Sequence, residues 1–361
     1  MSEINALIKD LCPNGVAYSQ LGAVTRLVRG QHITKELCIP GPFPVVSASR
    51  EALDFHKAFN HKGDAVSISS HGAYAGFISF WANEIWLGNN VFLFETNPQL
   101  QAKFLYYVLK SRQSEVSSLA KSGGVPYINA SQVQALEIPI PPLEVQAELV
   151  RILDTFTSLE AELEAELEAR KKQYLAIGRK LLPLTSSSTN ELWASLGDVV
   201  QIKNGSDWKT LPPGDVPVFG SGGVIQHVGA SVHSGPSVLI PRKGSIGNIF
   251  YVDRPFWTVD TCFYTEINME KADPRFLYHY LLFKELASLN VAGGVPSLTQ
   301  TILKTVPFPL IELNQQQEIA QKLDAISDLI ESPDGGLAVE LTARRKQYEY
   351  YRDQLLTFKE A

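Results

Sequence analysis

The sequence lacks the features of a secreted, membrane-spanning or disulfide-bonded protein. No apolar run reaches the roughly 18 residues that a membrane-spanning helix needs. The N-terminal MSEINALIKDL has neither the basic region nor the apolar run of a secretion signal. There are only three cysteines, Cys12, Cys38 and Cys262, and they are isolated and without metal-ligand spacing. We therefore expect a soluble, cytoplasmic protein with reduced thiols.

The sequence also lacks a metal-binding motif. Its seven histidines include no HExxH pair or comparable spacing. We therefore expect no metal, and we interpret the histidines as surface or loop residues: His32, His56, His61, His71, His227, His233 and His279.

An excess of positive charge, which would indicate a nucleic-acid partner, is absent as well. The net charge is −6, but its distribution matters more than its sum. The acidic residues are concentrated on predicted helices, whereas the globular segments are neutral to slightly basic. Such a chain could hold DNA locally but would not bind it tightly alone at physiological salt. The most acidic helical run contains Glu160, Glu162, Glu164, Glu166 and Glu168.

A long helix is the strongest local feature that is present. The segment Leu143–Leu182 follows a proline-rich stop at Ile138–Pro142 and contains no proline and one glycine, Gly178. Over about 40 residues it would form a rod of about 60 Å. Its apolar residues recur every three or four positions, which predicts packing along another helix. These residues are Leu149, Ile152, Phe156, Leu159, Leu163, Leu167, Tyr174, Ile177 and Leu181.

The partner helix is predicted in the same chain, because the sequence repeats itself. From Asn314 a second helical segment begins, breaks at Ser332–Gly336 and resumes with LAVELTARRKQYEYYRDQLL. Upstream landmarks recur in the same order, including a Gly-Gly-Val-Pro turn, a glutamine (Gln146 and Gln316) and a Leu-Asp pair ending at Asp154 or Asp324. A duplication of this length predicts two copies of one structural unit.

The repeat is cyclic. Tyr18–Gly30 matches Trp193–Gly205, so the N-terminal helix would complete the last helical region. Each copy contains short strands, a glycine-rich turn and a helix, predicted at Lys103–Leu119 and Arg275–Leu289. We expect an α+β fold: two β-containing globular domains separated by two long antiparallel helices forming a coiled coil, with approximate two-fold symmetry. The expected boundaries are 1–14, 15–142, 143–183, 184–311 and 312–361.

The exposed loops differ between the copies, which suggests one binding task performed on two targets. Basic side chains on glycine-flanked turns can meet phosphate or a guanine edge, although each loop residue could equally be a solvated turn residue. The candidates are Arg242, Lys243, Ser245, Ser221, Arg50, Ser49, Ser70, His71, Tyr74, Asn89, Asn90 and Lys121.

Two further motifs allow several interpretations. The Gly-Gly-Val-Pro turns could carry loop contacts, but we interpret them as hinges between a domain and its helix. Matching basic triplets, Arg170–Lys172 and Arg344–Lys346, could pair with glutamates of the opposing antiparallel helix, contact the DNA backbone or meet a partner protein.

As a whole, the chain resembles the specificity subunit of type I restriction-modification systems. The resemblance rests on the opening DLCPNGVAYSQLG, the Gly-Gly-Val-Pro turns, and the two long helices opened by IPPLEVQ and PLIELNQQQEI. It implies two target recognition domains, each reading one half of a split, asymmetric DNA site. It also implies that the helices act as a ruler and dock two adenine methyltransferase (modification) subunits, and that restriction subunits join to cleave unmodified DNA.

The resemblance also implies that this chain holds no cofactor. S-adenosylmethionine would be bound by the modification subunit, and ATP and magnesium by the restriction subunit. The residues agree that the chain is not an enzyme, since Phe219–Gly223 leads into a strand-like segment where a cofactor loop needs a helix. Ile140–Leu143 likewise lacks the polar and aromatic residues that grip a flipped base. The alternative is a coiled-coil scaffold whose two domains bind proteins and not DNA.

Overall fold

The computed structural model describes residues 2–121, 124–184, 193–290, 296–332 and 334–361. The chain divides into two compact units, Met1–Leu163 with Leu341–Ala361, and Glu164–Glu340. Within the described residues, no helix is both long and apolar enough to cross a membrane.

The first half of the chain contains short strands and helices, and most of the strands follow one another before the third helix. The strands are β1 Tyr18–Gln20, β2 Thr25–Arg29, β3 Phe43–Val46, β4 Phe55–His56, β5 His61–Lys62, β6 Ala65–Ser69, β7 Ile78–Trp81, β8 Glu84–Leu87, β9 Val91–Thr96 and β10 Glu137–Pro139. The helices are α1 Ser2–Leu11, α2 Leu21–Val24, α3 Ala102–Ser111, α4 Gln113–Ser118, α5 Ala130–Gln134 and α6 Leu143–Leu181.

The second half follows a similar order. Its strands are β11 Trp193–Ser195, β12 Val200–Asn204, β13 Val216–Gly220, β14 Gly223–Val228, β15 Ser237–Pro241, β16 Phe250–Val252, β17 Trp257–Thr258, β18 Cys262–Ile267 and β19 Pro307–Pro309. Its helices are α7 Leu196–Val199, α8 Pro274–Phe283, α9 Gln300–Lys304, α10 Leu313–Glu331 and α11 Leu337–Leu355. The expected α+β class is confirmed, and α6 ends at Leu181, one residue before the end of the predicted helix Leu143–Leu182.

In the first unit, two four-stranded sheets pack face to face, and α3 covers the outer face of one of them. The covered sheet has the order β2-β9-β6-β7, and the other has the order β4-β3-β8-β5, in which β3 and β8 are parallel. Side chains of β9 alternate between the two interfaces: Phe92 and Phe94 pack with α3, and Val91 and Leu93 pack toward the other sheet. Because both faces of β9 are buried, its first four residues, Val91–Phe94, form a continuous apolar run.

In the second unit, the same three layers recur. The sheet under α8 has the order β12-β18-β15-β16, and the other sheet is three-stranded, β14-β13-β17. Phe263 of β18 packs with α8, whereas Cys262 and Tyr264 on either side pack toward the other sheet. Strand pairs β1-β10 and β11-β19 close the two domains at equivalent places.

The domain helices are shorter than the sequence predicted. The helix expected over Lys103–Leu119 is divided at Arg112 into α3 and α4. The one expected over Arg275–Leu289 stops at Phe283, and a short 3-10 helix, Leu286–Leu289, follows Glu285. Glu285 adopts a left-handed conformation with φ 48°, which an α-helix cannot include.

Within the first unit, α11 runs antiparallel to the beginning of α6. Phe156 of α6 lies 6.2 Å from Tyr348 and 6.0 Å from Tyr351, measured between ring centroids, and Glu160 accepts a hydrogen bond from Arg345 at 2.7 Å. The predicted apolar stripe is incompletely buried, because Leu159 is 51% exposed. The seam at this point is formed by aromatic and charged side chains of α11.

One buried glutamine joins each domain to its long helix. Gln146 of α6 donates to the carbonyls of Gln99 and Pro141 and accepts from the backbone N–H of Gln101, at 2.8–2.9 Å. Gln316 of α10 repeats this arrangement with Lys271, Ile311 and Asp273. Both side chains are fully buried. Their hydrogen bonds therefore fix the segment that enters the domain helix against the long helix.

A carboxylate two turns further along each long helix holds the domain helix a second time. In the first unit, Asp154 accepts from Lys103 at 2.8 Å and from the Tyr107 hydroxyl at 2.6 Å. In the second, Asp324 accepts from Arg275 and from the His279 ring, the latter at 2.7 Å.

The surface or loop position predicted for the histidines is wrong for three of them. His279 lies within α8 and is fully buried, and His56 and His61 are also buried. His279 contacts Asp324 through Nε2 and the Tyr174 hydroxyl through Nδ1, at 2.8 Å. A buried imidazole is tolerated here because both ring nitrogens have polar partners.

Asp324→Asn is expected to destabilise the second unit. Burial alone would raise the pKa of the Asp324 carboxyl, but hydrogen bonds from His279 and Arg275 outweigh it and lower the pKa. A lowered pKa stabilises the fold above the unfolded value of about 4, and this contribution is lost as pH falls through the folded value. We expect a loss of about 1.5–3 kcal/mol at neutral pH, shrinking below about pH 4, as measured by urea unfolding.

Glu318→Gln provides the matched control, because Glu318 is an exposed carboxylate on the same helix. It should leave the unfolding free energy nearly unchanged. Equal losses in both variants would contradict the anchoring role of Asp324.

Candidate nucleic-acid interface

In the first unit, the glycine turn after β6 forms the centre of a loop cluster. The backbone N–H of Gly72 donates to the carbonyl of Pro126 at 2.9 Å, which joins the turn to the proline of the Gly-Gly-Val-Pro motif. Gly76 has φ 88°, and a Cβ there would lie 2.7 Å from the Cα of Ser117. The turn therefore requires glycine at this position, for conformation and for space.

Polar and aromatic side chains surround this turn. The His71 ring stacks on Tyr127 with centroids 6.3 Å apart, and Tyr127 also pairs through its backbone with Lys121. The Arg50 guanidinium lies 5.5 Å from the centroid of Tyr74. His71, Tyr74, Lys121 and Arg50 are exposed. The structure thus brings the basic and aromatic candidates of this unit onto neighbouring loops.

The remaining candidate residues of this unit differ in exposure and in their hydrogen bonds. Ser70 is 1% exposed, and its hydroxyl lies 2.8 Å from Nδ1 of His71, so it positions the histidine. The N–H of Ser70 donates to the carbonyl of Asn90. Asn89 and Asn90 are both exposed, in the turn that precedes β9. The Ser49 hydroxyl donates to the carbonyl of Glu51, which shapes the loop carrying Arg50.

In the second unit, the turn after β15 occupies the equivalent place. The N–H of Gly244 donates to the carbonyl of Pro296 at 3.2 Å, and Lys243 bridges to Ser297. The amide of Asn248 donates to the carbonyl of Ser221 at 3.4 Å. The β13–β14 hairpin tip and the basic turn therefore form one surface. The Gly-Gly-Val-Pro residues Gly123 and 293–295 lie outside the described residues.

Arg242 and Lys243 differ in their surroundings. Lys243 and Ser245 are exposed, whereas Arg242 is half-buried with its guanidinium 5.2 Å from the centroid of Phe263. Its Nε is buried and has no hydrogen-bond partner among the described residues. Arg242 therefore contributes to packing of the turn, and Lys243 presents the accessible charge.

Sequence reasoning missed two residues of these surfaces. Tyr127 is 39% exposed and stacks on His71, and Asn248 holds the hairpin tip. The position of Tyr127 directly after the Gly-Gly-Val-Pro turn could have identified it from the sequence. Nothing in the sequence indicated the role of Asn248, because its partner Ser221 is distant in sequence.

The basic triplets lie against helix side chains. Arg170 donates to Glu166 at 2.7 Å and to Gln173 at 2.9 Å, and Arg345 donates to Glu160. The Arg345 contact supports pairing with a glutamate of the opposing helix, whereas the Arg170 contacts lie within its own helix.

Among the described residues, no group of three or more His, Cys, Asp or Glu side chains could hold a metal ion. Two loop surfaces on similar scaffolds, one in each unit, are typical of a protein that binds its target through two domains.

Comparison with known proteins identifies the family. The sequence model of the type I restriction modification DNA specificity domain matches twice, at residues 13–169 and 190–342, so the chain belongs to this family. It is a non-catalytic specificity subunit of a type I restriction-modification system, and DNA sequence recognition is its task.

Relatives are similar over nearly their whole length. A putative type I restriction enzyme specificity subunit of Haemophilus influenzae is 27% identical over 374 residues, covering 95% of this chain and 96% of the relative. A putative type I specificity subunit of Mycoplasma pneumoniae is 26% identical over 375 residues, covering 96% of both chains.

Among solved structures, the S subunit of a type I restriction-modification system from M. genitalium has a similar fold. Its TM-score is 0.71 at 22% identity, covering 95% of this chain and 96% of that one. A chain from a study of complex assembly and conformational transition of the type I R-M system has a TM-score of 0.54 at 18% identity, covering 95% and 98%.

Lys243→Ala is expected to weaken DNA binding of the assembled complex by a similar factor on every DNA sequence. Removal of one phosphate contact should lower the slope of log affinity against log salt by about 1. Salt titrations of DNA binding would measure it. Lys203→Ala is the control, because Lys203 pairs with Glu266 on a sheet of the same unit. An unchanged slope in Lys243→Ala would contradict a phosphate contact.

Proposed function

We propose that this chain reads a bipartite, asymmetric DNA site through two target recognition domains, each of which contacts one half of the site. The observation that carries the proposal is the equivalent position of the two loop surfaces. In both units a glycine turn after the central strand is hydrogen-bonded to the proline carbonyl of the Gly-Gly-Val-Pro segment. The residues displayed there differ, with His71 and Tyr127 in one and Lys243 and Asn248 in the other. Different side chains on one scaffold imply different half-sites.

The recognition domains are assigned to residues 15–142 and 184–311, and the long helices to 143–183 and 312–361. Residues 1–14 complete the C-terminal helical region. Ile4 of α1 packs in the same core as Leu355 and Leu356, and the N–H of Val16 donates to the carbonyl of Lys359 at 2.8 Å. These contacts support the assignment of the N-terminal helix to the end of the chain.

The helices set the distance between the half-sites. α6 is a single helix of 39 residues, which corresponds to about 58 Å. Adjacent turns of B-DNA lie about 34 Å apart along one face, so a rod of this length can carry two domains at such a spacing. The glutamine and carboxylate anchors on the long helices supply the rigidity that a ruler needs.

We infer the partners from the family. The helices dock two adenine methyltransferase subunits, and translocating restriction subunits join this assembly for cleavage. S-adenosylmethionine is bound by the modification subunit, and ATP and magnesium by the restriction subunit, so this chain supplies recognition and spacing. A solved relative described in terms of complex assembly of the type I system supports a role within a larger assembly.

Methylation mapping tests the proposal. DNA from cells that express this chain with its cognate modification subunit would be sequenced by a single-molecule method that detects methyladenine. A split motif that appears only when both chains are present is the expected result. Absence of any motif, in an assembly shown to form and to bind S-adenosylmethionine, would favour a scaffold that binds proteins.

Insertion of four residues after Ala165 tests the ruler. Ala165 lies within α6, and four additional helical residues lengthen it by about 6 Å. The two half-sites should stay the same while the number of unread base pairs between them changes, as read from the methylated motif. Four residues inserted in the exposed loop 206–211, which leaves α6 intact, should not change the spacing. Unaltered spacing in the Ala165 variant would contradict the ruler.

A further inference from the structure

The β13–β14 hairpin of the second unit presents an unusually exposed strand. Val224 and Ile225 of β14 are 46% and 53% exposed, and Gln226 and His227 are exposed as well. Successive side chains of a strand point to opposite faces, so four exposed residues in a row mean that both faces of β14 are open. Its neighbour β13 is largely buried.

β14 is also an edge strand. Within the described residues it pairs only with β13. A shift of register between Val218 and Phe219 leaves Ile225 as an extra residue on the β14 side. Exposed edges are commonly protected by charged residues, proline or a bulge. β14 has the bulge, but its sequence, Gly-Val-Ile-Gln-His-Val, contains no Asp, Glu, Lys, Arg or proline. The exposed apolar residues of β14 therefore suggest that a partner covers them.

Charge and position indicate that this partner is DNA. The hairpin, 216–228, contains no acidic residue, and neither does the adjoining basic turn, 241–251, which contributes Arg242 and Lys243. In a chain of net charge −6, this is a locally favourable surface for a polyanion. The hairpin tip is held against the turn, since Asn248 donates to Ser221.

We propose that β14 is the base-reading strand for the half-site of the second domain, entering the major groove with Gln226 and Ile225 directed at A·T base pairs. The bulge at Ile225 interrupts the alternation of side chains along the strand, so these two neighbours need not point to opposite faces. The inference rests on the proposed function and deepens it. Sheets can place a strand in the major groove of B-DNA, a glutamine side chain pairs bidentately with adenine, and an apolar side chain contacts the thymine methyl group.

The corresponding hairpin of the first domain differs in its sequence and its loop. β3 and β4 pair through Phe43 with His56 and Pro44 with Phe55, and Val45 donates to the carbonyl of Asp54 and accepts from the N–H of Leu53, both at 2.8 Å. The intervening loop, 47–52, carries Arg50. Because β14 belongs to the second domain, substitutions in β14 should affect one half-site only.

The test uses the assembled complex of the chain with its modification subunits. Methylation mapping of the parent first defines the two half-sites. Competition binding is then measured with duplexes in which each base pair of the motif is replaced in turn. Gln226→Ala should lose discrimination of about 5- to 150-fold at one A·T pair of a single half-site, with the other half unchanged. Gln201→Ala is the control, because Gln201 is an exposed glutamine on β12 of the same domain.

Ile225 is tested separately, with duplexes that carry deoxyuridine in place of each thymidine. Loss of a methyl group should weaken binding of the parent at one thymine of the same half-site, and Ile225→Ala should be insensitive to that replacement. Both residues are exposed, so the variants are expected to fold and assemble.

The outcomes separate the inference from the function on which it rests. If the parent yields no split motif, the proposed function itself fails. If the parent yields a motif but both variants discriminate every base pair as the parent does, β14 does not read bases and the inference is overturned. A uniform loss of affinity on all duplexes would also overturn it, because that result indicates backbone contact only.

Discussion

The attachment of each globular domain to a long helix depends on one buried glutamine. The amides of Gln146 and Gln316 each satisfy three backbone groups in the segment that leads into the domain helix and in the turn that opens the long helix. Buried backbone groups without partners would each cost about 1–3 kcal/mol. The domain therefore cannot tilt on its helix without breaking these bonds, and the carboxylate two turns later adds a second point of attachment.

Rigid attachment leaves the loops free to differ. Both units keep the strand side chains that alternate between the two faces of the sheet, the domain helix, and the hydrogen bond from the glycine turn to proline. The residues displayed on the loops differ. Specificity can then vary without disturbing the core, because the side chains at the loop ends contribute little to packing. Arg242 departs from this separation, since its guanidinium packs on Phe263 of the core strand β18.

The sequence predicted those features that depend on local pattern. The bounds of α6, the break before α11 and the strand-like character of Val224–Val228 followed from periodicity and from glycine and proline positions. The burial of His279 and the exposure of Leu159 could not be predicted in this way, because both depend on residues that are distant in sequence. His279 lies between Tyr174 and Asp324, and Leu159 lies where α11 supplies aromatic and charged side chains. The glycine turns were recognised as loop candidates, but the partners Tyr127 and Asn248 arise from long-range pairing.

The most direct test of divided recognition is to duplicate one domain. A hydrogen bond closes both domains at equivalent places, from Leu21 to the carbonyl of Leu136 and from Leu196 to that of Val306, each at 2.8 Å. Residues 196–306 can therefore replace residues 21–136 between the paired strands. The methylated motif of the chimera, mapped in an assembled complex, should consist of two halves with the same sequence, that of the parental second half-site. A motif whose halves still differ would contradict recognition by one domain for each half.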